Sequence, residues 1–185
     1  MNLLSILLLI IYSMIILGLI WAKYRFFPIK TKTSRISSYF YDPIAAIHII
    51  ATYYLFLTTT NIHPIRGLLA ATLYISGIGV FCWAMVSAKY LDYAFSNKIR
   101  QIVTSGPFAI VRHPLYLSYT LVWLTSTLLF NSLYLWITLT YLVTFYLTSA
   151  QSEEKAILKS EYSGEYLEYS QKVGMFLPRI TKWKR

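Results

Sequence analysis

The sequence has 185 residues, room for one domain rather than two. Hydrophobic residues make up 57% of it and charged residues only 13%, where an ordinary soluble domain carries about 25% charged residues, so the composition argues against a water-soluble globule. The net charge of +10 could suggest a nucleic-acid partner, but the basic residues lie between long apolar runs rather than along one stripe, and membrane topology explains them better.

A spanning helix needs about 20 mostly apolar residues, and five stretches qualify. The first covers residues 2–22. It is too long for a signal peptide and lacks a basic leader, so it is read as a retained span. The second covers 43–60, with Asp42 as a plausible N-cap and Pro43 at the first helical position. It contains His48, which reads as a buried, hydrogen-bonded histidine rather than a catalytic one. The third covers 67–86 and holds Cys82, the one cysteine, which makes no intrachain disulfide and reads as a small buried packing residue. The fourth covers 114–130 and the fifth 133–150. Only Asn131 and Ser132 separate these two, which predicts a tight antiparallel hairpin.

Lysine and arginine placement supports five spans. With that number, 16 of the 17 basic residues fall on one side, and the positive-inside rule makes that side cytoplasmic. The N-terminus is then outside and the C-terminus inside, in a prokaryotic plasma membrane or the endoplasmic reticulum. The tail from Gln151 to Val173 predicts an amphipathic helix broken at Gly164, with Ile157, Leu158, Tyr162, Leu167 and Tyr169 at roughly helical spacing. The expected fold is therefore all-α: one integral membrane domain, five transmembrane helices and a cytoplasmic amphipathic helical tail.

Two clusters on the cytoplasmic side could carry chemistry. One is Gly106-Pro107, a turn signal, followed by Arg112-His113-Pro114-Leu115-Tyr116, where Pro114 opens the fourth helix. The free N–H groups and positive dipole end of such a helix suit a carboxylate. The other is Glu153-Glu154 at the end of the fifth span, where charge is expensive and often functional. The hairpin makes these clusters neighbours. An amino-acid zwitterion would fit between them, its carboxylate at the helix start and its ammonium at Glu154. The three histidines, His48, His63 and His113, lack metal-ligand spacing, so no metal is expected.

The combination of Gly106-Pro107-Phe108, Arg112-His113-Pro114-Leu115-Tyr116, a hydrophobic hairpin, Glu153-Glu154, the Tyr162–Tyr169 segment and Leu177-Pro178-Arg179 resembles the isoprenylcysteine carboxyl methyltransferase and phospholipid methyltransferase family. The resemblance covers the C-terminal half, about residues 100–179. It implies S-adenosylmethionine held between the last two spans and the tail, and a lipid-like or prenylated substrate whose tail enters from the bilayer. By the same resemblance Gln101, Ile102, Val103, Phe108, His113, Pro114, Leu115, Tyr116 and Glu154 would contact the cofactor, with Arg112 and Glu153 at the reacting centre. Ser118 stands where the family usually has glycine. Ser149, Ala150, Gln151 and Ser152 stand where prenylcysteine enzymes carry an arginine for the substrate carboxylate, which weakens that substrate in particular. A carboxylate acceptor would need no general base; for an amine or hydroxyl, Glu153 is the candidate proton acceptor. A membrane reductase using NADPH has a similar helical core, but its motif usually continues Gly-Glu after the tyrosine, where this chain has Leu117-Ser118-Tyr119. A non-catalytic scaffold is the remaining alternative.

Overall fold

The structure is a computed structural model, and it describes residues 2–26, 36–88 and 102–179. Gln101, one of the expected cofactor contacts, lies outside the described residues. Six α-helices make up almost all of the described chain: α1 (Leu3–Phe26), α2 (Ile36–Thr58), α3 (Pro64–Ser87), α4 (Pro114–Phe130), α5 (Leu133–Ile157) and α6 (Ser163–Lys172), with a short 3-10 turn at Gly106–Ala109. Among the described residues, α1, α2, α3 and α5 contain stretches long and apolar enough to cross a membrane, and α4 is a shorter apolar helix. At 17 residues, α4 spans about 25 Å at 1.5 Å per residue, the lower limit for crossing a hydrocarbon core of about 30 Å. Large apolar side chains such as Leu3, Met14, Ile50, Leu68 and Leu133 face outward, and so does Cys82, which is exposed on α3 rather than buried as its small apolar side chain predicts. That is costly in water and natural in lipid, which is as apolar as they are.

Three helix boundaries differ from expectation, each for a local reason. The second helix does not begin at Pro43. It begins at Ile36, and Pro43 lies inside it. A proline there forfeits one helical hydrogen bond, but the turn before it is pinned by packing: the Tyr41 ring stacks on Phe145 of α5 with centroids 4.7 Å apart. The third helix begins at Pro64, three residues earlier than expected, because His63 caps it by accepting from the Ile65 N–H at 3.3 Å and proline suits the first helical position. The tail breaks at residues 158–162 rather than at Gly164, which sits inside α6. Glu153 and Glu154 therefore ride on a continuous extension of α5.

The expected hairpin is present. Asn131 ends α4 in the left-handed conformation, φ 48° and ψ 42°, which asparagine tolerates better than most residues. Its N–H donates to the Thr127 carbonyl, and its side-chain oxygen accepts from the Trp136 indole. Around this pair, α3 lies along α4, α2 along α5, and α1 along α3. Close approach of α3 and α4 requires small residues. A Cβ on Gly77 would come 3.2 Å from Val122 and 3.5 Å from the Ser118 carbonyl, and Ser118 itself is buried. A small side chain at 118 thus has a packing reason.

The core is aromatic and partly polar. Tyr12, Phe56, Tyr74, Trp123 and Tyr146 are buried with Leu8, Val122, Leu135 and Leu142. His48 is fully buried and satisfied at both ring nitrogens, by Thr138 at 2.7 Å and Ser126 at 2.9 Å. It ties α2 to both members of the hairpin and has no open face for chemistry.

Candidate active site

The site forms where the start of α4, the end of α5 and the tail converge. The chain enters through the Gly106 turn, at φ +62°, where an added Cβ would collide with Ser87 Oγ at 2.2 Å. Only glycine takes that conformation freely. Residues 111–113 then run beside residues 174–175 of the tail. Val111 and Gly174 form a parallel bridge, the Arg112 N–H donates to the Gly174 carbonyl at 2.8 Å, and the His113 N–H donates to the Met175 carbonyl at 3.1 Å. Gly174 permits the turn that follows, since a Cβ there would lie 1.9 Å from the Leu177 carbonyl oxygen.

The tail thus takes the backbone N–H groups of Arg112 and His113, which precede the first turn of α4.

The two sequence clusters do meet. Arg112 donates through Nε to Glu154 Oε1 at 2.9 Å and through Nη2 to Glu154 Oε2 at 3.2 Å. Its Nη1 donates to the Val173 carbonyl at 2.5 Å and the Ser170 carbonyl at 3.1 Å. His113 Nε2 lies 3.0 Å from Glu154 Oε1. A carboxylate only accepts, so Nε2 carries the proton. Tyr116 donates its hydroxyl to Glu153, and His113 Nδ1 lies 3.6 Å from the same carboxylate. The Arg112 and Glu154 side chains are 11% and 14% exposed, whereas Glu153 is 52% exposed. Glu154 is the inner, clamped acid and Glu153 the outer one.

Burial alone would lower the Arg112 pKa, but the hydrogen bonds and charge of Glu154 more than offset it and hold the guanidinium above its ordinary value. Tyr166 is buried against this pair. Burial first, and then the Glu154 charge, keeps its hydroxyl protonated well above the usual phenol range. That hydroxyl makes no hydrogen bond of ordinary length, but it lies close enough to Glu154 and Arg112 to interact with both.

The remaining expected contacts are distributed unevenly. Pro114 is buried, and Leu115 and Phe108 are half-buried near the clamp. The Phe108 carbonyl accepts from the Tyr169 hydroxyl at 2.6 Å. Ile102 packs with Tyr166, Tyr169 and Val173, which seats the incoming segment on α6, and Val103 is half-buried beside it in sequence. No group of His, Cys, Asp and Glu able to hold a metal occurs among the described residues.

Tyr166 lay in the Tyr162–Tyr169 segment of the resemblance but had no assigned role, and the carbonyls at Ser170 and Val173, Phe176 and Tyr146 escaped the sequence reading. Phe176 stacks on His113 with centroids 5.8 Å apart. With Leu177 it walls an apolar groove of about 240 Å³ against Leu117, Thr120, Val143, Tyr146 and Leu147. A signal existed for Tyr146, which precedes Glu153 by seven residues and therefore shares its helix face. None existed for the carbonyls, since every residue has one.

The profile of the phospholipid methyltransferase family matches residues 65–165 of the chain. The chain belongs to that family. The matched region runs from the start of α3 to the first residues of α6, and so contains both Arg112–Tyr116 and Glu153-Glu154. The phospholipid methyltransferase profile also takes in α3, which the sequence motifs alone did not reach. No curated protein and no solved structure matches the chain. Membership makes this a membrane methyltransferase of a family acting on lipid-like substrates.

Proposed function

We propose that this protein transfers a methyl group from S-adenosylmethionine to a lipid whose head group presents an amine or hydroxyl. The observation that carries the reading is the meeting of Arg112, His113 and Tyr116 with Glu153 and Glu154 at one end of the α4–α5 hairpin. The donor set fits the amino-acid end of the cofactor. Glu154 Oε1 accepts two hydrogen bonds and Oε2 one, leaving room on Oε2 for an ammonium donor, since a carboxylate offers about four acceptor positions. The Tyr166 hydroxyl is buried beside the pair and interacts with both Glu154 and Arg112, which helps hold them in place. His113, Pro114, Leu115, Tyr116 and Phe108 would line this pocket, with Ile102 and Val103 behind it.

When bound, S-adenosylmethionine supplies a methyl already activated on a sulfonium. What remains for the protein is positioning and exclusion of water. Glu153, more exposed and held by Tyr116, would take the proton that an amine or hydroxyl acceptor releases. A carboxylate acceptor is disfavoured. Arg112 spends four of its five N–H donors on Glu154 and the tail carbonyls, and it acts here as a positioning residue for Glu154 rather than at the reacting centre. The charge distribution supports a cytoplasmic site and an external N-terminus, in one domain with the cofactor half at about residues 100–179.

Thermal unfolding in mild detergent tests the reading. S-adenosylhomocysteine at about 100 times its dissociation constant should stabilise the protein by about 2.7 kcal/mol, while NADPH should do nothing. Stabilisation by NADPH alone would favour the reductase alternative, and silence with both would favour a scaffold. Glu154→Gln should weaken S-adenosylhomocysteine binding by about ten-fold or more in a protein that still inserts; unchanged affinity would remove Glu154 from the site.

A further inference from the structure

Beneath the site lies a buried phenol that the proposed chemistry does not use. Tyr146 is 1% exposed, two helical turns before Glu153 on α5. Its hydroxyl accepts from the Trp123 indole N–H at 2.9 Å and shares a hydrogen bond with the Tyr41 hydroxyl at 3.1 Å. Trp123 in turn meets the His48 ring edge-on at 5.2 Å, and Tyr41 is stacked on Phe145. Helices α2, α4 and α5 therefore all hold this one ring.

The ring has one neighbour that matters for the site. Tyr146 and Tyr116 stack with centroids 5.3 Å apart and planes 19° apart. Tyr116 also stacks with His113, at 5.8 Å and 19°. Near-parallel contact with two immobilised rings fixes the direction in which the Tyr116 hydroxyl points, and that hydroxyl bonds to Glu153. Glu153 is half-exposed on a flexible stem, and its other close group, His113 Nδ1, stands off at 3.6 Å. Its placement thus depends on Tyr116, and the placement of Tyr116 depends on Tyr146.

We propose that Tyr146 is a positioning residue for the Tyr116–Glu153 pair, with Trp123 and Tyr41 as its anchors, so that a buried aromatic network across α2, α4 and α5 sets where the proton acceptor stands. The proposal rests on the methyltransferase reading for its consequence and on ring geometry for its cause. Reacting groups misplaced by about 1 Å can lose about 100-fold in rate, and a tilt of the Tyr116 ring acts at the far end of a long lever.

The test uses full-length protein in detergent with ζ-13C-labelled tyrosine, the Tyr116 signal being assigned by its absence from Tyr116→Phe. In Tyr146→Leu that signal should move toward the position of a free phenol, and Trp123→Phe should move it the same way by less. With S-adenosylmethionine and vesicles of a primary-amine phospholipid, Tyr146→Leu should lower kcat by about ten-fold or more, a larger factor than any rise in the KM for S-adenosylmethionine, whose pocket Tyr116 also lines. The Tyr146→Phe/Trp123→Phe double variant should lose no more than the worse single one, because both act through one hydroxyl. If Tyr146→Leu fails to insert, Tyr146→Phe and Trp123→Phe carry the same comparison. An unmoved Tyr116 signal, or a moved signal with kcat unchanged, overturns the proposal. A wild-type protein inert toward the cofactor overturns the methyltransferase reading instead, and the labelled signal still decides whether Tyr146 positions Tyr116.

Discussion

Replacing Arg112 with alanine should release the tail while leaving the helical bundle folded. The guanidinium makes two hydrogen bonds to Glu154 and one each to the carbonyls of Ser170 and Val173. It is thus the main polar tie between α5 and the end of α6. Removing one partner of a buried ion pair costs about 3–5 kcal/mol. Here both side chains keep slight exposure, 11% and 14%, and water can partly replace the lost donors, so about 2–4 kcal/mol is the expected loss. It falls on docking of the tail rather than on the bundle, because α6 is held chiefly by Ile102, Tyr166, Tyr169, Val173 and this clamp. Such a loss raises the open population of the tail by about two orders of magnitude. Hydrogen exchange followed by mass spectrometry should therefore speed up by about that factor in residues 163–175, with α1 to α5 unchanged. Arg112→Lys should rescue little, since an ammonium cannot reproduce the forked contact. Arg179→Ala is the control: Arg179 shares the Ser170 carbonyl and also reaches that of Gln171, but it touches no acid in these contacts and is exposed, so its loss should be small. Unchanged exchange in residues 163–175 of Arg112→Ala would refute the clamp.

Two further outcomes are expected. His48→Ala should destabilise the bundle by about 1–2 kcal/mol, the range of intramembrane hydrogen bonds, because Ser126 and Thr138 keep bonds to their own helix carbonyls; chemical unfolding in detergent measures this, and abolished methyl transfer per folded molecule would mean that His48 does more than pack. Gly174→Ala forces a Cβ against the Leu177 carbonyl, so the turn should open at a cost of about 1–3 kcal/mol, exposing residues 174–179 to limited proteolysis and weakening S-adenosylhomocysteine binding; wild-type resistance to protease would show that the turn tolerates a side chain.

Much of the fold was legible along the chain, for the physical reason that a bilayer imposes a one-dimensional rule. Each crossing must be an apolar helix of sufficient length, so the apolar runs, the two-residue hairpin and the convergence of Arg112–Tyr116 with Glu153-Glu154 could all be read from order and spacing. Tertiary contact decided the rest. Stacking of Tyr41 on α5 carries α2 through Pro43, where local propensity alone predicts a start. The tail, whose polar character says only that it leaves the membrane, returns so that its carbonyls accept from the Arg112 guanidinium and from the backbone N–H groups of residues 112–113. Phe176, in the tail beyond α6, carried no signal, and Tyr146 carried only the seven-residue spacing that puts it on the Glu153 face of α5. An aromatic residue in a membrane helix is equally at home facing lipid or neighbour, and only the packing of three helices around one ring shows which.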